Sequence, residues 1–183
     1  MNLRIDSDIP GGNIVVDEVS GDDVRLHQDL RDTDRPWFYW CFRVRGAAGR
    51  TLRFTFTASR ALGVRGPGVS FDGGLTWRWL GAESVRQNSF VHAFAAAATD
   101  VRFSFGLPYL SSDWRRFLES LRGHPLLTER TLCASARGRR VEYLLMESPA
   151  TPRHRVAMVC RHHCCEMMAN YALEGLIGWV AND

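Results

Sequence analysis

In Arg155-Val-Ala-Met-Val-Cys160-Arg-His-His163-Cys-Cys-Glu166-Met-Met-Ala-Asn-Tyr-Ala-Leu-Glu-Gly175, the apolar pattern predicts a strand, a tight loop and a helix in succession. Val156–Cys160 is an unbroken apolar run, which is typical of a strand buried on both faces of a parallel-type sheet. From Ala169 onward, apolar residues recur at helical spacing, at positions 169, 172, 173, 176, 177 and 180, and indicate a helix face packed on that sheet. His163 and Glu166 are therefore expected where the strand becomes the helix, at the edge where open α/β sheets place their sites.

His163 and Glu166 are three residues apart on this loop, so their side chains can face one point. An imidazole nitrogen and a carboxylate oxygen are both good Zn²⁺ ligands, at roughly 2.0–2.2 Å, and a catalytic zinc usually has three protein ligands and a water. This loop offers two such protein ligands, His163 and Glu166. The alternative is a surface loop in which Glu166 only stabilises the first turn of the helix through the helix dipole.

Around these residues the sequence resembles the zinc metallocarboxypeptidases, and within them the cytosolic carboxypeptidase branch. The resemblance covers nearly the whole chain and is carried by Arg161-His-His163-Cys-Cys-Glu166, Met168, Glu174-Gly175, the hairpin-like Leu132–Leu145, Trp37-Phe-Tyr39 and Ser70–Trp77. It implies that His163 and Glu166 are the first two zinc ligands of an enzyme that removes C-terminal residues from peptides or proteins.

The sequence departs from the family pattern in two ways. The commoner loop is His-Pro-Gly-Glu, whereas Cys164 and Cys165 fill its middle here, and Cys165 cannot replace the substrate-holding Arg of the pancreatic-type branch. The resemblance also assigns the second His ligand, the general-base Glu and the carboxylate-binding Arg and Asn to sequence downstream of the first motif, beyond Asp183. We therefore expect an N-terminal part of a longer enzyme, or a truncated relative, that is inactive by itself.

The composition is that of a globular protein of one or two domains, with 45% apolar and 23% charged residues. The net charge is only +3, and blocks of basic residues interleaved with aromatic residues are absent, so a nucleic-acid partner is not expected. Neither a signal peptide nor an apolar run long enough to span a bilayer is found, which predicts no membrane partner. Five cysteines without disulfide-scaffold spacing favour the reducing cytoplasm.

Residues 1–108 are predicted to form an N-terminal antiparallel β-sandwich or jelly-roll-like domain, because short strands alternate with glycine turns. Strands are predicted at 14–19, 24–28, 37–45, 69–71, 76–80, 90–97 and 101–105. The clearest is Thr51–Thr57, with Leu52, Phe54 and Phe56 on one face and polar residues on the other.

Residues 109–183 are predicted to be a linker helix and the first part of an α/β/α carboxypeptidase-like domain, which makes the chain a two-part α+β protein. Ser111 or Ser112 caps a helix that ends at Gly123-His-Pro125, and strands are expected at about 129–135 and 140–146. A polar loop through Pro149 and Pro152 leads to the strand before His163. Such a half-built sheet would expose an apolar edge, so an oligomer or a missing C-terminal segment is expected to cover it.

Three further features have a structural and a functional interpretation. Ser70-x-Asp72-x-Gly74-x-Thr76-Trp77 matches the Asp-box turn of sialidases, which is either a stabilised turn or part of a sugar site. Cys160, His162, Cys164 and Cys165 are either small buried residues and loop residues, or a structural zinc site or thiolate nucleophile. The aromatic run 37–42 is either core or a binding groove. For the chain as a whole, the alternative to an enzyme is a non-catalytic β-sandwich binding or assembly module with a vestigial HxxE loop.

Overall fold

The computed structural model describes residues 2–31, 33–147, 151 and 153–182, which form two compact units. The first unit contains the residues up to Leu110 together with Arg161–Met168, and the second contains Ser111–Cys160 and the residues from Ala169 on. The architecture is mixed α and β, with most of the regular structure in sheets, as predicted. The predicted loop through Pro149 and Pro152 lies outside the described residues.

The first unit is built from short strands that follow one another along the chain. They are β1 Arg4–Asp6, β2 Val15–Ser20, β3 Asp23–His27, β4 Cys41–Arg45, β5 Thr51–Phe56, β6 Gly68–Ser70, β7 Arg78–Trp79, β8 Val85–Arg86, β9 Ser89–Ala93 and β10 Val101–Ser104. A short 3-10 helix, Ala82–Ser84, precedes β8. The predicted strands are therefore present, although several are shorter than the sequence suggested.

These strands form two five-stranded sheets, in the orders β1-β4-β10-β6-β7 and β2-β3-β5-β9-β8. In the first sheet every neighbouring pair is antiparallel. In the second sheet β3 and β5 pair in parallel, with Val24 opposite Phe54. The prediction of a purely antiparallel arrangement is therefore wrong at this pair, because the long connection through β4 brings β5 back beside β3 in the same direction.

The two sheets share one hydrophobic core. Phe42 of β4 and Phe103 of β10 lie with ring centroids 5.3 and 5.5 Å from Phe54 of β5 in the other sheet. The alternation predicted for β5 is confirmed, since Leu52, Phe54 and Phe56 are all buried. Full burial of one such side chain contributes about 1.5–3 kcal/mol to folding, so this aromatic cluster is a main source of the unit's stability.

The second unit contains two helices and a hairpin in the described residues. Helix α1, Ser111–Ser120, precedes β11, Leu127–Ala134, and β12, Arg140–Met146. The two strands pair antiparallel around a tight turn in which Gly138 has φ +72°. Helix α2 spans Met168–Asn182. The predicted helices and hairpin are thus confirmed.

The predicted buried strand at Val156–Cys160 is wrong. This run has no regular secondary structure, and the side chains of Val156 and Val159 are 77% and 73% exposed. A strand needs a neighbour that satisfies its backbone groups, and within the described residues the sheet of this unit consists of β11 and β12 only. His163 and Glu166 are therefore not at the carboxyl edge of a formed sheet.

The predicted packing of α2 against that strand is also not observed. The helix has no buried residue among those described, and Trp179 is 64% exposed. The helical spacing of its apolar residues was correctly interpreted, but the surface that this face was expected to cover is not formed. In the described part of the chain, no helix combines the length and apolar character needed to cross a bilayer.

Candidate metal-ligand loop

The loop Arg161–Met168 carries the His and Glu predicted from the sequence and belongs to the first compact unit. Its first residue, Arg161, has φ +55°, a left-handed conformation that is unfavourable for a residue with a side chain. The Arg161 guanidinium donates hydrogen bonds to the backbone oxygens of Tyr109 and Cys164, the latter at 3.2 Å. The bond to Tyr109 ties the start of the loop to the chain segment that follows β10, and the bond to Cys164 closes the loop on itself.

His163 and Glu166 lie side by side on this loop. His163 Nδ1 is 2.7 Å from Glu166 Oε1, and the backbone N–H of His163 donates to Glu166 Oε2 at 3.1 Å. The backbone N–H of Glu166 in turn donates to the His163 carbonyl oxygen at 3.1 Å. The spacing of three residues therefore brings the two side chains to one point, as the sequence suggested.

The electrostatics of the pair favour an ionised carboxylate. The hydrogen bond from the His163 side chain, followed by the bond from the His163 backbone amide, lowers the pKa of Glu166. An ionised carboxylate only accepts hydrogen bonds. His163 Nδ1 must then be the donor, which assigns the proton of a neutral imidazole to Nδ1 and leaves Nε2 free to accept.

His163 and Glu166 are chemically suited to bind a zinc ion, because imidazole nitrogen and carboxylate oxygen are ordinary Zn²⁺ ligands. Both side chains are partly open to solvent, with 56% of His163 and 43% of Glu166 exposed. Among residues 2–31, 33–147, 151 and 153–182, no three His, Cys, Asp or Glu side chains are grouped closely enough to hold a metal ion. The ligand role of His163 and Glu166 thus stays a prediction.

Two further residues support the loop and were not found by sequence reasoning. The indole ring of Trp37 lies with its centroid 5.2 Å from the His163 imidazole, at an interplanar angle of 36°. Met167 is 1% exposed, and its terminal methyl carbon is 3.4 Å from the position of a Cβ on Gly106. Trp37 was assigned to the core or to a groove, and no spacing in the sequence connects it with His163.

Among the described residues, the neighbouring cysteines belong to no group of three metal-ligating side chains, and Cys164 is unsuited to be a thiolate nucleophile. Cys160, Cys164 and Cys165 are free thiols, and burial, together with the charge of Cys165, raises the pKa of Cys164. A thiol with a raised pKa stays protonated at neutral pH, which disfavours a thiolate nucleophile at this position. The expectation that Cys160 points into a sheet is wrong, because the strand is not formed.

The Ser70–Trp77 segment is a turn that is held together by hydrogen bonds to the Asp72 carboxylate. Asp72 accepts hydrogen bonds from the backbone amides of Leu75 and Thr76, at 3.0 Å each, and from the hydroxyl of Ser70 at 2.8 Å. The indole N–H of Trp77 donates to the Gly74 carbonyl oxygen at 3.0 Å. These contacts account for the motif as a stabilised turn. The aromatic run is also mainly core: residues 39 to 42 are buried, and Phe38 is 50% exposed.

Comparison with protein-family models and with curated proteins found no match. Solved structures do match. A metallo-carboxypeptidase from Burkholderia cenocepacia matches 98% of this chain and 49% of its own, with a TM-score of 0.82 and 22% identity. A protein from Shewanella denitrificans that is described as a carboxypeptidase A matches 97% of this chain and 49% of its own, with a TM-score of 0.79 and 20% identity.

A metallo-carboxypeptidase from Pseudomonas aeruginosa, in complex with (2-guanidinoethylmercapto)succinic acid, matches 80% of this chain and 41% of its own, with a TM-score of 0.63 and 22% identity. The chain thus spans about half the length of the structures that it matches. At these identities the comparison is one of fold. The chain has a metallocarboxypeptidase-like fold, of which it spans about half.

Proposed function

We propose that the chain is the N-terminal portion of a zinc-dependent metallocarboxypeptidase, in which residues 1–108 form a β-sandwich domain and residues 109–183 begin the catalytic domain. The observation that carries the proposal is the pairing of His163 and Glu166, whose Nδ1 and Oε1 atoms are 2.7 Å apart. The metallocarboxypeptidase-like fold around this loop supports it.

In this proposal His163 and Glu166 are two of the three protein ligands of a zinc ion. Glu166 is suited to the role because a carboxylate oxygen is an ordinary zinc ligand, and the hydrogen bonds from His163 favour its ionised form by lowering its pKa. Coordination through Nδ1 of His163 would displace the proton that this nitrogen donates to Glu166, whereas Nε2 is free to accept a cation without proton loss. When bound, zinc polarises a substrate carbonyl group and lowers the pKa of a bound water.

The proposed substrate is the C-terminal end of a peptide or protein, from which the complete enzyme removes residues. The family resemblance assigns the second His ligand, the general-base Glu and the substrate-binding Arg and Asn to sequence downstream of the first motif. We therefore expect the 183-residue chain to lack carboxypeptidase activity by itself.

The partner that we propose is the remaining half of the same fold. Val156–Cys160 is apolar and unpaired within the described residues, and its residues 156–159 are exposed. The matched structure from Burkholderia cenocepacia has about as much chain again outside the matched part. A polypeptide that supplies a neighbouring strand would satisfy the backbone of this run and bury its side chains. We assign the run to that partner rather than to an oligomer of this chain.

We also propose a cytoplasmic location. All five cysteines are free thiols, and free thiols persist in reducing compartments. The compartment is best tested by the redox state of these thiols in cells: thiol labelling of all five at once would support it, and recovery of the protein with oxidised cysteines would contradict it.

A second candidate is a non-catalytic binding or assembly module with a vestigial HxxE loop. One observation favours it: His163 and Glu166 already satisfy each other through the side-chain bond and the backbone bond. A loop that only begins helix α2 would have the same two bonds. The two candidates differ in whether His163 binds zinc.

The test is a zinc titration of metal-free protein, purified without an affinity tag, followed by calorimetry and by metal analysis. Under the proposal the wild-type chain binds one zinc ion weakly, and His163→Ala and Glu166→Gln each abolish this binding. His162→Ala is the matched control, because His162 is an exposed neighbour outside the pair. Zinc binding that survives His163→Ala, or none at all in the wild-type chain, would contradict the proposed metal role and favour the binding module.

A further inference from the structure

The loop that carries His163 and Glu166 contacts the rest of the first compact unit at three points. At its start, the Arg161 guanidinium donates to the Tyr109 carbonyl oxygen. At its end, the buried Met167 side chain lies against Gly106. Between them, the imidazole of His163 lies against the indole of Trp37. The loop therefore depends for its position on residues far upstream in the sequence.

Of the three points, only Trp37 touches a side chain of the proposed ligand pair. More than half of the His163 side chain is exposed, and Glu166 is almost as open. An exposed imidazole samples several rotamers, and its orientation then has to be restricted when a ligand binds. The indole lies against the His163 ring, with the two planes tilted by 36°, while Nδ1 faces Glu166, so the contact favours the orientation in which Nδ1 and Oε1 meet.

Trp37 is itself firmly anchored. The side chain of Gln28 is 2% exposed and donates from Nε2 to the Trp37 carbonyl oxygen at 2.6 Å. The same Nε2 lies 3.0 Å from Ser59 Oγ, and Ser59 Oγ lies 3.3 Å from Gln28 Oε1. A buried amide that is hydrogen-bonded to both Trp37 and Ser59 thus anchors the backbone from which the Trp37 ring extends to His163.

The contact depends on the aromatic ring and not on the indole N–H. Trp37 Nε1 is shielded from solvent and has no hydrogen-bond partner in the described part of the chain. Replacement of Trp37 by Phe therefore keeps an aromatic face and removes a donor that is unused there. Replacement by Ala removes the support altogether.

We infer that Trp37, in the first compact unit, is a positioning residue that orients the His163 imidazole toward Glu166 and so preorganises the proposed metal-ligand pair. Its relevance to zinc rests on the proposed function, whereas the orientation of His163 does not. Residues that orient metal ligands from outside the coordination sphere typically change metal affinity by 10–100-fold when they are replaced. In this interpretation the first compact unit, which contains the loop, also orients the histidine that the loop carries.

The first test needs no metal. The ring current of Trp37 should shift the Hε1 proton resonance of His163 in zinc-free protein, and this resonance is identified by its loss in His163→Ala. We expect Trp37→Ala to move it to the position typical of an exposed histidine and Trp37→Phe, which keeps one aromatic ring of the two, to retain part of the displacement. Phe71→Ala is the control, because Phe71 is an aromatic residue of the same unit that is 48% exposed and whose ring lies against His92, at 5.8 Å.

The second test is the zinc titration with the same variants. Trp37→Ala should raise the zinc dissociation constant about tenfold or more, and Trp37→Phe and the control Phe71→Ala by less than about threefold. An unchanged His163 resonance in Trp37→Ala, or an unchanged dissociation constant, would overturn the positioning role. If the wild-type chain takes up no zinc but the resonance depends on Trp37, the contact stands and the metal role fails. Circular dichroism identifies variants that do not fold. If Trp37→Ala is one of them, Trp37→Leu takes its place as the variant without an aromatic ring and is compared with Trp37→Phe.

Discussion

Asp72 shows how one carboxylate can organise a turn. Its oxygens accept hydrogen bonds from the backbone amides of Leu75 and Thr76 and from the hydroxyl groups of Ser70 and Thr76. The bond from the Thr76 hydroxyl and those from the backbone amides hold the pKa of Asp72 well below its ordinary value of 3.8. We predict that Asp72→Asn lowers the free energy of unfolding at pH 7, because the new NH₂ group faces donors instead of accepting from them. Urea unfolding of the two proteins measures this difference.

The pH dependence of that difference has a defined sign. Folding lowers the pKa of Asp72, so its stabilisation is fully present above the unfolded value of 3.8 and is lost as the pH falls through the lower folded value. We predict a constant stability gap between wild-type and Asp72→Asn protein from neutral pH down to about 5 and a narrowing gap below about 4. Asp34→Asn, at a side chain that is 84% exposed, is the control and should show a far smaller gap. A gap that widens on acidification would refute this account.

At the scale of a single strand, β10 tests whether the two sheets depend on one core. Its residue Phe103 is fully buried and contacts Phe54 of β5 and Phe90 of β9 in the other sheet, with centroid distances of 5.5 and 5.1 Å. We predict that Phe103→Ala lowers the free energy of unfolding by about 3–5 kcal/mol. The exposed Leu75→Ala should stay within about 0.5 kcal/mol. Equal effects of the two changes in denaturant unfolding would mean that the ring cluster does not hold the sheets together.

Strand β5 and the run Val156–Cys160 show what the sequence could and could not predict. The alternation of Leu52, Phe54 and Phe56 is a local signal of a sheet with one buried face, and it was confirmed. An apolar run without alternation signals a strand only when neighbours exist on both sides, which is a property of the surrounding sheet. The spacing of His163 and Glu166 is likewise local and predicted their meeting, whereas the parallel pairing of β3 with β5 and the approach of Trp37 are long-range.

The same two elements should differ in hydrogen exchange. The amides of β5 are paired with β3 and β9 on either side, whereas in the described residues the amides of 156–160 take part in no backbone hydrogen bond. We predict that amides in 156–160 exchange with solvent within seconds. Under the same conditions the amides of β5 should stay protected, because a hydrogen-bonded amide exchanges only after its part of the structure opens. Mass-spectrometric exchange on peptides that cover the two runs measures this. Equal protection would mean that 156–160 is already paired in the isolated chain.

At the scale of the whole molecule, exposed apolar side chains are concentrated toward the end of the chain. Val156, Met158 and Val159 are 57–77% exposed, and Trp179 and Val180 of α2 are also open. Monomeric proteins seldom expose large contiguous apolar patches, and such patches commonly mark binding surfaces. The isolated chain should therefore bind apolar dyes and associate with itself as its concentration rises.

We predict that Val156→Asp combined with Val159→Asp reduces both dye fluorescence and self-association without lowering the thermal stability of the chain, because these side chains contribute little buried area to it. Val64→Asp is the matched control: Val64 is 91% exposed but lies in the first unit, apart from the apolar run in sequence. Dye fluorescence and sedimentation velocity over a concentration series measure the two effects. If Val64→Asp reduces dye fluorescence and self-association as strongly as the double variant, these are general properties of the surface and give no reason to assign a partner to 156–160. If only the double variant acts, the run is the surface on which the remaining half of the fold should be sought.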